Sequence, residues 1–108
     1  MKKIYLFCDQ AMSTSIIAKK MQEVGDKHNL PIEVKAFSIK NLEKILEEEN
    51  PNCVLLGPQV RHMLDDTRNR VEKYDIPVGV IDSVDYGMMD GEKVLKKTIL
   101  LMKNYKKS

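Results

Sequence analysis

The sequence predicts a single α/β domain spanning residues 1–108: an open, all-parallel sheet of four strands in the order 2-1-3-4. Helices cover both faces, giving three layers. Three observations predict this. Short apolar runs alternate with longer amphipathic stretches four times along the 108 residues. No two consecutive runs are joined by a hairpin-length link, so successive strands must be connected by crossovers, which are right-handed. The second run alternates apolar and polar residues, as an edge strand does, which favours the order 2-1-3-4.

Each element has its own warrant. Ile4-Tyr5-Leu6-Phe7-Cys8 is a continuous apolar run and reads as a buried strand. Ile17, Met21 and Val24 share one face of a helix expected from about Ser13 to His28. Asn29-Leu30-Pro31 stops it, because the residue before a proline is pushed out of the helical region. Ile32 to Phe37 alternates and is the edge strand. Ser38 can cap a second helix that buries Ile39, Leu42, Ile45 and Leu46. The acidic run Glu47-Glu48-Glu49 before Asn50-Pro51 reads as a solvated end. Cys53 to Leu56 is the third strand, closed by Gly57-Pro58. A third helix carries Val60, Met63, Leu64 and Val71 inward. Pro77 introduces the fourth strand, Val78 to Ile81. A loop from Asp82 to Gly91 leads into a last helix with Val94, Leu95, Thr98, Ile99 and Met102 facing the core.

Composition narrows the function classes. Eighteen basic residues against sixteen acidic ones leave a net charge of +2. That balance calls for neither nucleic acid nor an anionic membrane as partner. The lysines near the C-terminus, Lys96, Lys97, Lys103, Lys106 and Lys107, suit the negative end of a helix dipole. No aromatic residues interleave with them for base stacking. The first apolar run is too short for a signal peptide, and no run approaches a membrane span. Two cysteines do not make a disulfide framework, so the expected compartment is the cytoplasm.

In such a sheet, ligands bind beyond the carboxyl ends of the strands, at the point where the strand order reverses. Here that point lies between strands one and three, and it gathers Cys8 and the loop Gly57-Pro58-Gln59. The segment Cys8-Asp9-Gln10-Ala11-Met12-Ser13-Thr14-Ser15 brings three hydroxyl residues to a helix start. Free backbone N–H groups there make an anion site, and Ser or Thr side chains can add donors. The same donors favour the thiolate form of a neighbouring thiol. A cysteine beside an anion cradle is what phosphoryl transfer through sulfur needs: the cradle neutralises the equatorial oxygens while the thiolate attacks in line. The alternative reading of the segment is a buried cysteine followed by an ordinary Ser-Thr-Ser helix start. Cys53 begins its strand whereas Cys8 ends its own, so the pair is beyond disulfide reach and Cys53 reads as a small core residue.

A phosphatase reading fails on one position. Cysteine-dependent tyrosine phosphatases place an arginine six residues after the cysteine to clamp the phosphate, and here that residue is Thr14. The loop is suited to holding a phosphoryl group and handing it on.

Five segments carry a family resemblance: Ile4 to Cys8, the quartet Met12-Ser13-Thr14-Ser15, Val54-Leu55-Leu56-Gly57-Pro58-Gln59, Val80-Ile81-Asp82, and Tyr86-Gly87 followed by Asp90-Gly91. In this order and spacing, the chain resembles the IIB component of bacterial sugar phosphotransferase systems, of the lactose/cellobiose/chitobiose class. The resemblance covers nearly the whole chain. It implies that Cys8 takes a phosphoryl group from a phosphohistidine on a IIA partner. Cys8 would then pass it to a sugar, a β-linked disaccharide, held by a membrane-embedded IIC permease. It implies that Asp9, Gln10, Ala11, Met12, Ser13, Thr14 and Ser15 form the phosphate loop, and it implies no metal or organic cofactor. Two positions depart from the family pattern. Asp9 stands where a small residue is usual, and Ala11 where a glycine is usual. Asp9 sets negative charge beside a group that must carry a phosphoryl dianion, and Ala11 is strained if its position needs a positive φ. These departures motivate the alternative of a regulatory or non-catalytic IIB-like module.

Gln59, Arg61, His62 and Tyr86 are candidate partner contacts near the same strand ends. The alternative reading of Arg61 and His62, exposed residues at the start of the third helix, is the stronger one. Asp82 and Asp90 read as partner contacts or loop structure, and Met88-Met89 as an adaptable docking patch or core.

Overall fold

A computed structural model describes residues 1–9 and 11–106; for Ala11 it describes the backbone alone. Gln10, one of the expected phosphate-loop residues, lies outside the described residues. The strands are β1 (Lys2–Cys8), β2 (Ile32–Ser38), β3 (Cys53–Leu56) and β4 (Val78–Val80). The helices are α1 (Ala11–Lys27), α2 (Leu42–Glu49), α3 (Leu64–Val71), α4 (Ser83–Gly87) and α5 (Gly91–Asn104). All pairings are parallel and the order is β2-β1-β3-β4, as expected.

Strand alternation explains the layers. Ile4 and Leu6 of β1, with Cys53 and Leu55 of β3, meet Ile17, Ala18 and Met21 of α1 and Val94 and Leu95 of α5. The intervening residues Tyr5, Phe7, Val54 and Leu56 point the other way. They pack with Leu42 and Leu46 of α2 and Val71 of α3. Because successive side chains leave opposite faces of a strand, a strand buried on both faces must be apolar throughout. The edge strand β2 escapes this, and its Lys35 is exposed.

Several boundaries differ from those expected. Helix α1 opens at Ala11, two residues early, so only two residues separate it from the end of β1. Ala11 therefore sits in helical backbone, where alanine is the best-suited residue, and the positive φ that would strain it does not arise. At the far end of α1, Asn29 takes a left-handed φ of 56° just before Leu30-Pro31. Ser38 caps a 3₁₀ turn, accepting from the Lys40 N–H, rather than α2 itself. The third helical region divides into a 3₁₀ segment, Pro58–Met63, itself kinked at Val60 with φ −116°, and α3. Strand β4 ends at Val80, one residue early, and Ile99 is partly exposed instead of facing the core. The expected loop from Asp82 to Gly91 contains α4, whose start is capped by Asp82.

Two buried neutral groups make the fold sensitive to alkali. Burial pushes the Cys53 thiol from its ordinary 9.0 up to about 12. Burial also raises the Tyr5 hydroxyl, assisted by its 2.7 Å hydrogen bond to Glu33 and the nearby Glu49 carboxylate. Both groups stay protonated in the folded chain while the unfolded chain ionises. Their contribution is therefore complete below pH 9 and is lost progressively as pH rises above it. Each such group steepens the loss by about 1.4 kcal/mol per pH unit. Urea unfolding between pH 8 and 11 should show this decline, and it should be shallower in Cys53→Ala. Equal slopes for the two proteins would contradict the assignment.

Candidate functional site

Strands β1 and β3 run side by side through the middle of the sheet, and their chain continues to opposite sides. Their carboxyl ends bring together Cys8 and Gly57, whose N–H donates to the Phe7 carbonyl at 2.8 Å. The approach is close enough to exclude a larger residue at position 57. A Cβ there would lie 3.1 Å from Cys8 Sγ and 3.0 Å from Gln59 Oε1. Cys8 is only 1% exposed. Its S–H faces two acceptors, Asp9 Oδ1 at 3.2 Å and Gln59 Oε1 at 3.3 Å, and has one proton to share between them. Gln59, expected at a partner surface, is exposed as a residue, yet its amide reaches back onto the sulfur.

Cys53 is a separate matter. Its register partner on β1 is Ile4, four residues before Cys8, or roughly 13 Å of strand. Both thiols are free.

The first turn of α1 follows Cys8 after two residues. Its leading backbone N–H groups have no carbonyl one turn earlier within the helix, so they are donors for an anion. The three hydroxyls expected to help them all have protein partners. Ser15 Oγ donates to the Met12 carbonyl at 2.6 Å. Thr14, fully buried, lies 3.1 Å from the Tyr86 hydroxyl, and Ser13 also hydrogen-bonds that hydroxyl. Met12 is 82% exposed on the rim.

Tyr86, a candidate partner contact in the sequence, is a buried ring on α4 whose hydroxyl meets the loop. Helix α4 is fixed by its neighbours. The Asp82 carboxylate accepts from the Val84 and Asp85 N–H groups at 2.8 and 3.1 Å. The Asp85 and Val84 amides hold the Asp82 carboxyl below the usual range. Buried Asp85 accepts from Lys97 Nζ of α5 at 2.7 Å, and that bond raises the lysine. Asp90 caps α5 through the Lys93 N–H at 3.0 Å. Asp82 and Asp90 thus serve as helix caps. Arg61 and His62 are exposed on the 3₁₀ segment and join none of these hydrogen bonds among the described residues. Met88 is exposed, whereas Met89 packs against the core.

Sequence reasoning missed three features: Asp85 with its ion pair, the closeness of Gly57 to the sulfur, and the partner of Tyr86. A groove of about 220 Å³ between β4 and α5, lined by Gly79, Ile81, Lys97 and Leu101, does not include Cys8.

Residues 3–97 match the family model described as "PTS system, Lactose/Cellobiose specific IIB subunit". The chain is 34% identical, over 96% of its length and 99% of the relative, to the oligo-beta-mannoside-specific EIIB component of Bacillus subtilis. It is 36% identical to the galactose-specific EIIB component of Lactococcus lactis subsp. cremoris, over 94% of the chain and 96% of that protein. The lactose-specific IIB domain of Streptococcus pneumoniae superposes with a TM-score of 0.83 at 15% identity, over 93% of this chain and 96% of that one. The cellobiose-specific IIB protein of Borrelia burgdorferi gives 0.77 at 28% identity, over 99% and 96%. The parallel sheet, the cysteine ending its first strand and the similarity along almost the whole chain agree: this chain belongs to the lactose/cellobiose-specific IIB family and is a component of a sugar phosphotransferase system.

Proposed function

We propose that Cys8 is the phosphoryl acceptor. The observation that carries this is its position, at the carboxyl end of β1 and three residues before the start of the 17-residue helix α1. The donor is a phosphohistidine on a IIA partner. Cys8 gives up its proton, the thiolate sulfur attacks phosphorus, the S–P bond forms, and the P–N bond breaks with its electron pair returning to the histidine ring, which takes up a proton through solvent and so balances the one Cys8 lost. Backbone N–H groups in the first turn of α1 hold the equatorial oxygens in the in-line geometry. In the second step a sugar hydroxyl, held by the membrane IIC permease, attacks phosphorus. The S–P bond breaks and the thiolate leaves without needing a proton; the hydroxyl proton goes to a base outside this chain. The sugar belongs to the β-linked disaccharide class. The phosphate loop comprises residues 9–15, and Gln59 is the cover that must swing aside for the sulfur to be reached.

The chain acts in the cytoplasm. Among the described residues no helix is long and apolar enough to cross a membrane. The membrane step accordingly falls to IIC. The clamp that fast phosphatase turnover requires is missing, since Thr14 is buried against Tyr86.

One observation favours a second reading, a regulatory or non-catalytic module. The Asp9 carboxylate lies 3.2 Å from the sulfur that must carry a dianion. One experiment separates the two. Incubated with a phosphorylated IIA partner, the full chain should gain one phosphoryl group by intact mass, and peptide mapping should place it on Cys8. Tight binding of IIA without any label marks the module instead.

A further inference from the structure

We propose that Tyr86 is a positioning residue for phosphoryl transfer, its hydroxyl latching the first turn of α1 in the geometry that receives the phosphoryl group. This rests on the reading of Cys8 as the acceptor. A buried phenol ring fills space as well as phenylalanine would, so the added hydroxyl needs its own explanation. Among the described residues, the Tyr86 hydroxyl meets no backbone group. Its two partners are the side chains of Ser13 and Thr14, consecutive residues at the start of α1 and 73 and 72 residues away in sequence. It can donate to one and accept from the other, so the three hydroxyls form a short chain in which each bond polarises the next.

The other end of the latch is rigid. Tyr86 is 7% exposed within the core shared by α1, α5 and the sheet. Its helix is tied at one end by the Asp82 cap and on its flank by the Asp85–Lys97 ion pair. The Met89 and Asp90 N–H groups close the turn on the Tyr86 and Asp85 carbonyls. A fixed hydroxyl of this kind sets both the tilt of the first helical turn and the side on which the Ser13 and Thr14 hydroxyls lie. In-line transfer tolerates little misplacement of the cradle.

The test is Tyr86→Phe in the full chain, measured well below its melting temperature. Transfer from phosphorylated IIA should slow about ten- to a hundredfold, and the lifetime of the phosphocysteine should shorten. Exchange of the Ser15 to Ile17 amide protons, which are hydrogen-bonded within the helix, should accelerate about tenfold, with core strand amides unchanged. The melting temperature should fall by less than about 8 °C. Combined with Ser13→Ala, the second change should add little, because both remove the same contact. A filler role predicts a lowered melting temperature with transfer rate, phosphocysteine lifetime and exchange at Ser15 to Ile17 all as in the wild type, and that result overturns the latch alone. A wild-type chain that takes no label overturns the Cys8 reading, and the positioning role with it.

Discussion

Serine in place of Cys8 should abolish phosphoryl transfer to sugar, by at least about 10³-fold, or about 4 kcal/mol of barrier, while leaving the fold intact. The substitution changes one atom in a site that already accommodates it. Position 8 is buried at a strand end, and oxygen is smaller than the sulfur that a Cβ on Gly57 would meet at 3.1 Å. Stability should therefore change by no more than about 1 kcal/mol. The chemistry does not survive the exchange. A thiol is a few per cent ionised at neutral pH and strongly nucleophilic in that form, whereas a serine hydroxyl is not ionised at all without a dedicated base. The neighbours of Cys8 offer acceptors, Asp9 Oδ1 and Gln59 Oε1, but an amide oxygen takes up no proton at neutral pH and a carboxylate is far less basic than the alkoxide it would have to generate. A phosphoserine formed slowly would also be a dead end, since an alkoxide is a far poorer leaving group than a thiolate. The control is Cys53→Ala, remote from the site, which should keep full labelling. Labelling of Cys8→Ser at the wild-type rate would move the acceptor to another residue.

The parts of this protein that are legible in the sequence are those in which one physical constraint acts locally. Cys53 to Leu56 is bounded as expected because burial on both faces forces an unbroken apolar run that Pro51 and Pro58 delimit. The alternation in β2 marks it as an edge because only one of its faces is well covered. From those two signals the strand order follows, and from the order the switch point and Cys8 follow. What is not legible depends on residues far apart in sequence. Tyr86 stands in a segment that reads as loop because five residues are too few for helical periodicity to show, although Asp82 with Ser83 and Val84 after it carries a capping signal. Its two partners lie more than seventy residues upstream, and nothing in their local pattern distinguishes a hydroxyl that lines a cradle from one that is tied to a phenol. Gln59 illustrates the same limit. Its position after the third strand places it near the site, but only the turn geometry of Gly57-Pro58 shows that its amide folds back onto the sulfur.

Alanine at Gly91 should destabilise the protein by about 3 kcal/mol, lowering the melting temperature by about 10–20 °C. Gly91 opens α5 where that helix crosses the middle of α1. A Cβ there would lie 2.8 Å from the carbonyl carbon and Cβ of Lys20 and 2.9 Å from the Met21 nitrogen. The obstacle is mostly backbone, which cannot rotate aside as a long side chain does. The two helices must separate instead. They share the core of Ile17 and Met21 with Val94 and Leu95, so separation opens contacts in a layer that has no slack. Helix propensity runs the other way, favouring alanine by roughly 1 kcal/mol, and is outweighed. Gly87→Ala supplies the contrast. Gly87 is exposed at the end of α4, a Cβ added there would meet nothing within 4 Å, and the substitution should be neutral or slightly stabilising. If both variants melted with the wild type, α5 would have to slide freely on α1. The Asp85–Lys97 pair and the seat of Tyr86 would then be less rigid than the latch on the phosphate loop requires, so the stability result bears directly on how firmly the first turn of α1 is held.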